Sequence, residues 1–389
     1  NLNSMRHKED ANQKTERSLL KYKDLWSKSL MDWYAVHGRD LPWRRTRNPY
    51  AIWLSEVLLQ QTRVDQGLSY YLRFLDHFPT IQELAKADIQ DVLRLWQGLG
   101  YYRRAHLLHS AAKLVVEKGG GLPQSPAEWL QLPGVGPYTA AAIASIALDY
   151  PVPVVDGNVI RVLSRAFGAE APYDTAEGLR WIHQTAQELL DTARPGDYNQ
   201  ALMDLGATVC TPQKPACDTC FWQKKCVAFN QDRVGELPKR SKSTKVVPLT
   251  LDYLVLFHRG RVLLFPRRDQ GIWAGLYEFL PQPWAGAWDE SAWDQHWGSE
   301  HPSETLSHRL VTVSHALSHR SLTLNLNCIR LNRNLHLDGG VWVTLQDLER
   351  YPLPQPFLQF LKQIDFNHGR TQQSHAHRQP RQGPRSQNP

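Results

Sequence analysis

The stretch that most constrains the fold runs from Leu132 to Asn158, LPGVGPYTAAAIASIALDYPVPVVDGN. Gly134 and Gly136 lie two residues apart, which permits backbone with positive φ and close approach by a ligand. The turn feeds a helix predicted to begin near Tyr138 and rich in small residues: Ala140, Ala141, Ala142, Ala144 and Ala147. Such a helix start presents unpaired N–H groups and a positive dipole end, a site for an anion such as phosphate. Leu132 and Val135 are expected to pin the turn to the core. Pro151 and Pro153 break the run, and Asp156 then stands at the mouth of another helix starting near Asn158. Two readings stay open at this point. Asp156 is an N-cap in an ordinary helical corner, or it is an acid held beside a nucleic-acid backbone for chemistry.

The flanking sequence is helical by periodicity. Leu19, Leu20, Leu25, Trp26, Leu30, Trp33 and Tyr34 recur at helical spacing. A basic, aromatic loop follows from Gly38 to Arg45, and Asn48-Pro49 makes a cap with proline in the first turn. The segment AIWLSEVLLQQTRV then reads as a buried helix in which Glu56 is the anomaly. A carboxyl among apolar neighbours has its charged form disfavoured and becomes a proton donor near neutral pH. The competing reading puts Glu56 on a solvated edge. Gln60-Gln61-Thr62, predicted at the end of this helix, is either an exit from the core or a probe inserted into a partner. Further helices are expected at 67–77, 81–84 and 89–95, and over Asp197–Val209. A second glycine–aromatic–arginine turn, Gly98 to Arg104, leads into a helix reaching Val116. No convincing strand occurs before about residue 236.

Cys210, Cys217, Cys220 and Cys226 are spaced C-x6-C-x2-C-x5-C, a strong metal-site signal that leaves zinc and an iron–sulfur cluster both open. Lys214, Lys224 and Lys225 add positive charge to that loop, and Cys328 reads as an ordinary buried residue. The formal charge of +7 suits a polyanionic partner without establishing one. No apolar run reaches membrane-spanning length, and the first residues show no secretory or organelle pattern. Residues 233–247 are basic and aperiodic, a linker. Beyond them, period-two runs predict strands at Leu249–Phe257, Arg261–Arg267, Leu310–Leu317, Ser321–Leu331 and Val341–Thr344, with a closing helix at Pro356–Ile364. Residues 1–18 and a basic tail, 366–389, read as disordered.

These residues together resemble the MutY family of adenine DNA glycosylases over nearly all of residues 19–365. The motifs that carry the resemblance are LPWR (Leu41–Arg44), SEVLLQQTRV (Ser55–Val64), GLGYY, LPGVGPYTA, VDGNV, NQALMDLGA and the four-cysteine loop. It implies a multidomain chain. Its first part is an all-α helix–hairpin–helix glycosylase domain over 19–232, with its hairpin at 132–140 and an iron–sulfur loop at 210–226. An α/β (α+β) Nudix-like domain over 248–365 follows and inspects 8-oxoguanine. The implied activity is hydrolysis of the N-glycosidic bond of adenine mispaired with 8-oxoguanine or guanine, after the base is flipped from the duplex. By the same resemblance Glu56 protonates adenine N7, Asp156 stabilises the oxocarbenium-like sugar, and Tyr138 and Asn158 support them. Gln61 wedges into the duplex, and Arg44, Gly134 and Gly136 contact DNA. In related lyase-type glycosylases such as endonuclease III, a lysine stands where this chain has Tyr138, so a monofunctional enzyme is expected.

The resemblance also assigns a 4Fe-4S cluster to Cys210, Cys217, Cys220 and Cys226. GIWAGLYEF at Gly271–Phe279 is similar to the Nudix-like segment, but the metal-binding acidic cluster of a working Nudix hydrolase is missing downstream, so pyrophosphatase activity is not expected. Ser318 and His319 match the residues that read 8-oxoguanine, whose O8 acceptor and N7–H donor suit a hydroxyl and an imidazole. Leu317 stands where the family usually has an aromatic residue. A monomer acting on double-stranded DNA, with no membrane contact, is implied, cytoplasmic and nucleoid-associated in a bacterium.

Overall fold

The structure is a computed structural model that describes residues 22–241, 246–267, 271–283, 289–297, 305–317 and 320–363. The chain divides into two units, Asn1–Thr244 and Lys245–Pro389.

The first unit is helical, with no strand among its described residues. Its helices are α1 (residues 22–37), α2 (Pro49–Leu59), α3 (Val64–His77), α4 (Ile81–Lys86), α5 (Ile89–Trp96) and α6 (Arg103–Glu117). They continue with α7 (Pro126–Trp129), α8 (Pro137–Leu148), α9 (Gly157–Phe167), α10 (Ala176–Leu189), α11 (Pro195–Thr208) and α12 (Val227–Asn230). Asn48 caps α2 by accepting from the N–H groups of Tyr50 and Ala51. Every residue from Tyr50 to Leu58 is buried. A helix apolar all round must sit in the middle of the packing, and α2 packs against both α3 and α8. Fully buried tryptophans anchor this unit, among them Trp53 and Trp129, whose rings meet edge-on at 5.4 Å.

Two glycines set the spacing around α8 and α9. At Gly134, φ is +76°, and a Cβ there would lie 2.7 Å from that of Leu107. At Gly206 of α11, a Cβ would come within 2.6 Å of the Cβ of Asn158, so α11 crosses the start of α9 at a distance only glycine allows. Leu132 and Val135 are buried, as the sequence suggests.

Three differences from the sequence reading have physical causes. Helix α2 stops at Leu59 rather than continuing through Gln61, because Gln60 turns to extended backbone and Gln61 adopts φ +58°. Helix α10, passed over in the sequence, is capped by Thr175 and buries Ile182, Ala186 and Leu189 at helical spacing. The stretch expected as a linker begins later than Arg233. Leu237 is buried and its carbonyl accepts from Arg165, Arg233 pairs with Glu170, and Ser241 is held by Asp174.

The second unit is a mixed sheet of β1 (Val247–His258), β2 (Arg261–Pro266), β3 (Tyr277–Glu278), β4 (Leu280–Pro281), β5 (Thr305–Ala316), β6 (Arg320–Leu331) and β7 (Val341–Thr344). Its order is β3-β2-β1-β6-β5, with β4 on β1 and β7 on β2. β1 and β6 run parallel from Val247↔Arg320 to Phe257↔Arg330, and the other pairs are antiparallel. The alternation of β1 sends Tyr253, Val255 and Phe257 to one core and Leu254 and Leu256 to another. Helix α14 (Gln355–Gln363) closes the first with Phe357, Phe360 and Leu361. The second receives Trp293 of α13 (Glu290–Trp297), a helix the sequence reading did not anticipate, as it did not the two-residue strands β3 and β4.

Candidate active site

A cleft of about 630 Å³ opens in the helical unit, lined by Glu56, Gln61, Gly134, Gly136, Tyr138, Asp156 and their neighbours. Six residues singled out in the sequence, drawn from four separate elements, therefore meet at one surface.

Glu56 reaches the cleft from the apolar interior of α2 and is only 8% exposed. Burial pushes its carboxyl up to about 7, and the charge of Asp156 adds to the effect. A hydrogen bond from the Tyr138 hydroxyl to its Oε2, at 2.7 Å, and the charge of Arg44 act the other way. Tyr138, in the first turn of α8, is itself driven well above the usual phenol range by burial, so it stays a donor.

Asp156 is the N-cap of α9, its Oδ1 accepting from the Val159 N–H at 2.7 Å. Asn158 donates to the other oxygen at 2.8 Å. Burial raises the Asp156 carboxyl, while these donors favour its charged form. The two carboxyls thus differ in kind: Glu56 has one hydroxyl donor and apolar walls, Asp156 a set of N–H donors. That contrast separates an acid from a carboxylate within one site.

Behind Asp156 a chain of hydrogen bonds continues. Arg161 donates to the Asn158 side-chain oxygen at 2.8 Å, to the Gly206 carbonyl at 2.7 Å and to the Cys210 carbonyl at 2.7 Å. Arg165 reaches the same loop through Thr211 at 2.8 Å and the Cys210 Sγ at 3.6 Å. The four cysteines lie together in that loop, close enough for each of Cys217, Cys220 and Cys226 to feel the charge of Cys210. Burial raises all three thiols, Cys220 to about 11. Among the described residues, no group of three or more His, Cys, Asp or Glu is arranged to hold a single metal ion. Trp222 pins the loop to α1, meeting Trp26 edge-on at 4.8 Å.

Arg44 is a correction. Expected at the DNA, its guanidinium is instead spent on Asp204, with bonds of 2.6 and 2.7 Å, and its side chain is only 10% exposed. Asp204 is wholly buried and also takes Arg39, and an unpaired charge there would be too costly to leave. Sequence reasoning missed Asp204, although an acid in an apolar helix is the signal that exposed Glu56. It also missed Arg161, which carries no such signal. Ser318 and His319 lie outside the described residues. Leu317, beside them, packs against the core of the second unit.

Residues 54–184 match the HhH-GPD superfamily of base excision DNA repair proteins, and residues 252–363 match the NUDIX domain. The adenine DNA glycosylase of Rattus norvegicus is 38% identical over 385 residues, covering 82% of this chain and 74% of the rat protein. That of Buchnera aphidicola subsp. Schizaphis graminum (strain Sg) is 30% identical, covering 87% of this chain and 98% of its own length. The chain belongs to the adenine DNA glycosylase family. Adenine DNA glycosylases are hydrolases of base excision repair that remove adenine from DNA. A solved thermostable thymine-DNA glycosylase superposes on 54% of the chain with a TM-score of 0.51 and 29% identity, covering 98% of that structure. No helix among the described residues is long and apolar enough to cross a membrane.

Proposed function

We propose that this adenine DNA glycosylase excises adenine paired with 8-oxoguanine and does so without cutting the strand. The observation that carries the reading is the pairing of a protonatable Glu56 with an N–H-supported Asp156 in one cleft. In the reaction Glu56 gives its proton to N7 of the flipped adenine, and the C1′–N9 bond breaks with its electron pair leaving on the base. Asp156 stabilises the positive sugar until water adds at C1′, and the water's spare proton returns to a carboxylate. Tyr138 holds Glu56 in place and, having no amine, forms no Schiff base with the sugar. Asn158 keeps Asp156 aimed. Gln61, exposed at the rim, is the residue inserted into the duplex. The N-terminus of α8 has no side-chain cap, and open space lies over Gly136, so the Gly134–Gly136 turn suits a DNA phosphate.

The cysteine loop suits a 4Fe-4S cluster held by Cys210, Cys217, Cys220 and Cys226. Two buried guanidiniums, Arg161 and Arg165, face this loop, and neither makes an ion pair with a carboxylate among the described residues; an anionic thiolate cluster supplies the missing counter-charge. When bound, such a cluster orders the loop and with it Lys214, Lys224 and Lys225. The second domain reads 8-oxoguanine through Ser318 and His319, a role supported by the NUDIX match and the resemblance of its loop.

The test is single-turnover adenine release from a duplex carrying 8-oxoguanine opposite adenine, with and without alkali. Wild type is expected to yield strand breaks only after alkali, and Asp156→Asn to lose about 100-fold or more in rate. Breaks without alkali would refute the monofunctional reading. Because Glu56 must carry its proton, the rate is expected to fall as pH rises through about 7. A rate that stays flat to pH 9 would remove Glu56 from the proton-transfer role.

A further inference from the structure

The turn from Gly98 to Arg104 has no part in the chemistry above, yet its last residue reaches the far end of α2. Arg104 Nη1 donates to the carbonyls of Val57 at 2.7 Å, Leu58 at 3.3 Å and Gln60 at 2.6 Å. Its Nη2 donates back to Gly100 at 3.3 Å. The guanidinium stands 5.1 Å from the Trp96 ring and 5.7 Å from that of Tyr101. Burial lowers its pKa to about 10, which leaves it charged at neutral pH.

The last carbonyls of an α-helix lack partners within the helix, and a cation there is favoured. One nitrogen, Nη1, reaches three of these groups while Nη2 ties the same planar group back to Gly100, and a lysine's single nitrogen has no second arm to fix its direction. The first carbonyl it holds, that of Val57, belongs to the residue after Glu56. The last, that of Gln60, precedes Gln61. Gln61 sits at φ +58° and Tyr101 at φ +50°, and a side chain other than glycine keeps that conformation only where its surroundings over-determine it. A second link fixes the same turn from the other side: Gln60 donates to the Thr139 hydroxyl of α8 at 3.2 Å.

We propose that Arg104 is a positioning residue for adenine excision, bolting the Gln60–Gln61 turn to the segment that carries Glu56. Insertion of Gln61 into the duplex then presents the target adenine to Glu56 in register. The proposal rests on the reading of Gln61 as the inserted residue. Arg104 touches neither base nor sugar in this account, and acts only by where it holds the turn.

A double-mutant cycle tests it on the full-length protein, with Arg104→Gln, Gln61→Ala and both together. Two quantities are read: the single-turnover excision rate, and base unstacking by fluorescence of 2-aminopurine beside the target adenine. Affinity for undamaged duplex serves as the control. Arg104→Gln is expected to lower rate and unstacking together by about 10- to 100-fold, with affinity for undamaged duplex unchanged. The double variant is expected to be no worse than Gln61→Ala alone, because both changes disable one device. Losses that multiply, or wild-type unstacking in Arg104→Gln, would overturn the clamp and leave the Gln61 reading standing. A silent Gln61→Ala would overturn both. Should Arg104→Gln melt too low to assay, Arg104→Lys, which keeps the charge and lacks the fork, takes its place in the cycle with the same outcomes.

Discussion

Glu56 owes its chemistry to its address on α2. The same carboxyl on an exposed helix face would titrate at its ordinary value of 4.5, whereas burial here pushes it to about 7. The folded protein therefore holds a proton that the unfolded chain has released between those values. Stability contributed by this residue is intact below pH 4.5 and declines as pH rises through about 7, above which the buried charge is fully imposed. Glu56→Gln keeps an acceptor for the Tyr138 hydroxyl and removes that charge. It is expected to melt above wild type at pH 8, by the equivalent of at most about 3 kcal/mol, and level with it below pH 4.5, as thermal melts at the two pH values will read. An offset of equal size at both would show that the carboxyl is not the cause. The same variant, unable to donate a proton, is expected to lose excision activity, so stability and catalysis move in opposite directions at one residue.

At the scale of elements, α9 and α11 do most to set the geometry of Asp156. Asp156 caps α9, Asn158 is its second residue, and Gly206 of α11 presses on Asn158. Gly206→Ala would place a Cβ 2.6 Å from that of Asn158 and 3.1 Å from its Cα. Backbone, not a flexible side chain, must then yield. We expect a loss of about 1–3 kcal/mol in denaturant unfolding, together with a slower excision rate as Asn158 is moved off Asp156. Unfolding midpoints and rates within error of wild type would show that the crossing tolerates the methyl. These relations also mark where sequence was legible. Glu56, Asp156 and the glycine turn announce themselves by local rules: an acid in an apolar run, a cap before a helix, two glycines before a proline. The strands of the second unit follow from period two. What sequence concealed depends on distant partners. Arg44 reads as a free cation until Asp204, 160 residues on, accounts for it. The end of α2 and the φ of Gln61 are tied to Arg104, more than 40 residues away.

On the scale of the whole molecule, the proposed labour is divided between two units with separate cores. Glu56 and Asp156 belong to the helical unit, while the residues proposed to read 8-oxoguanine, Ser318 and His319, belong to the unit built on the mixed sheet. Chemistry and lesion choice are then separable by mutation. Ser318→Ala with His319→Ala leaves Glu56, Tyr138 and Asp156 untouched, so adenine opposite guanine should be excised at near wild-type rate. Adenine opposite 8-oxoguanine should lose the advantage that two hydrogen bonds to the lesion confer. At about 1 kcal/mol for each bond, the preference for 8-oxoguanine over guanine is expected to shrink by roughly 10- to 100-fold. Parallel single-turnover assays on the two duplexes measure that ratio directly. Equal losses on both substrates would mean that the loop supports general DNA engagement, and an unchanged ratio would move lesion recognition to another part of the sheet. Leu317, the residue before Ser318, is partly buried and packs against the core of the second unit. Leu317→Ala removes that contact and is therefore expected to weaken the same preference, without a change in the excision of adenine opposite guanine.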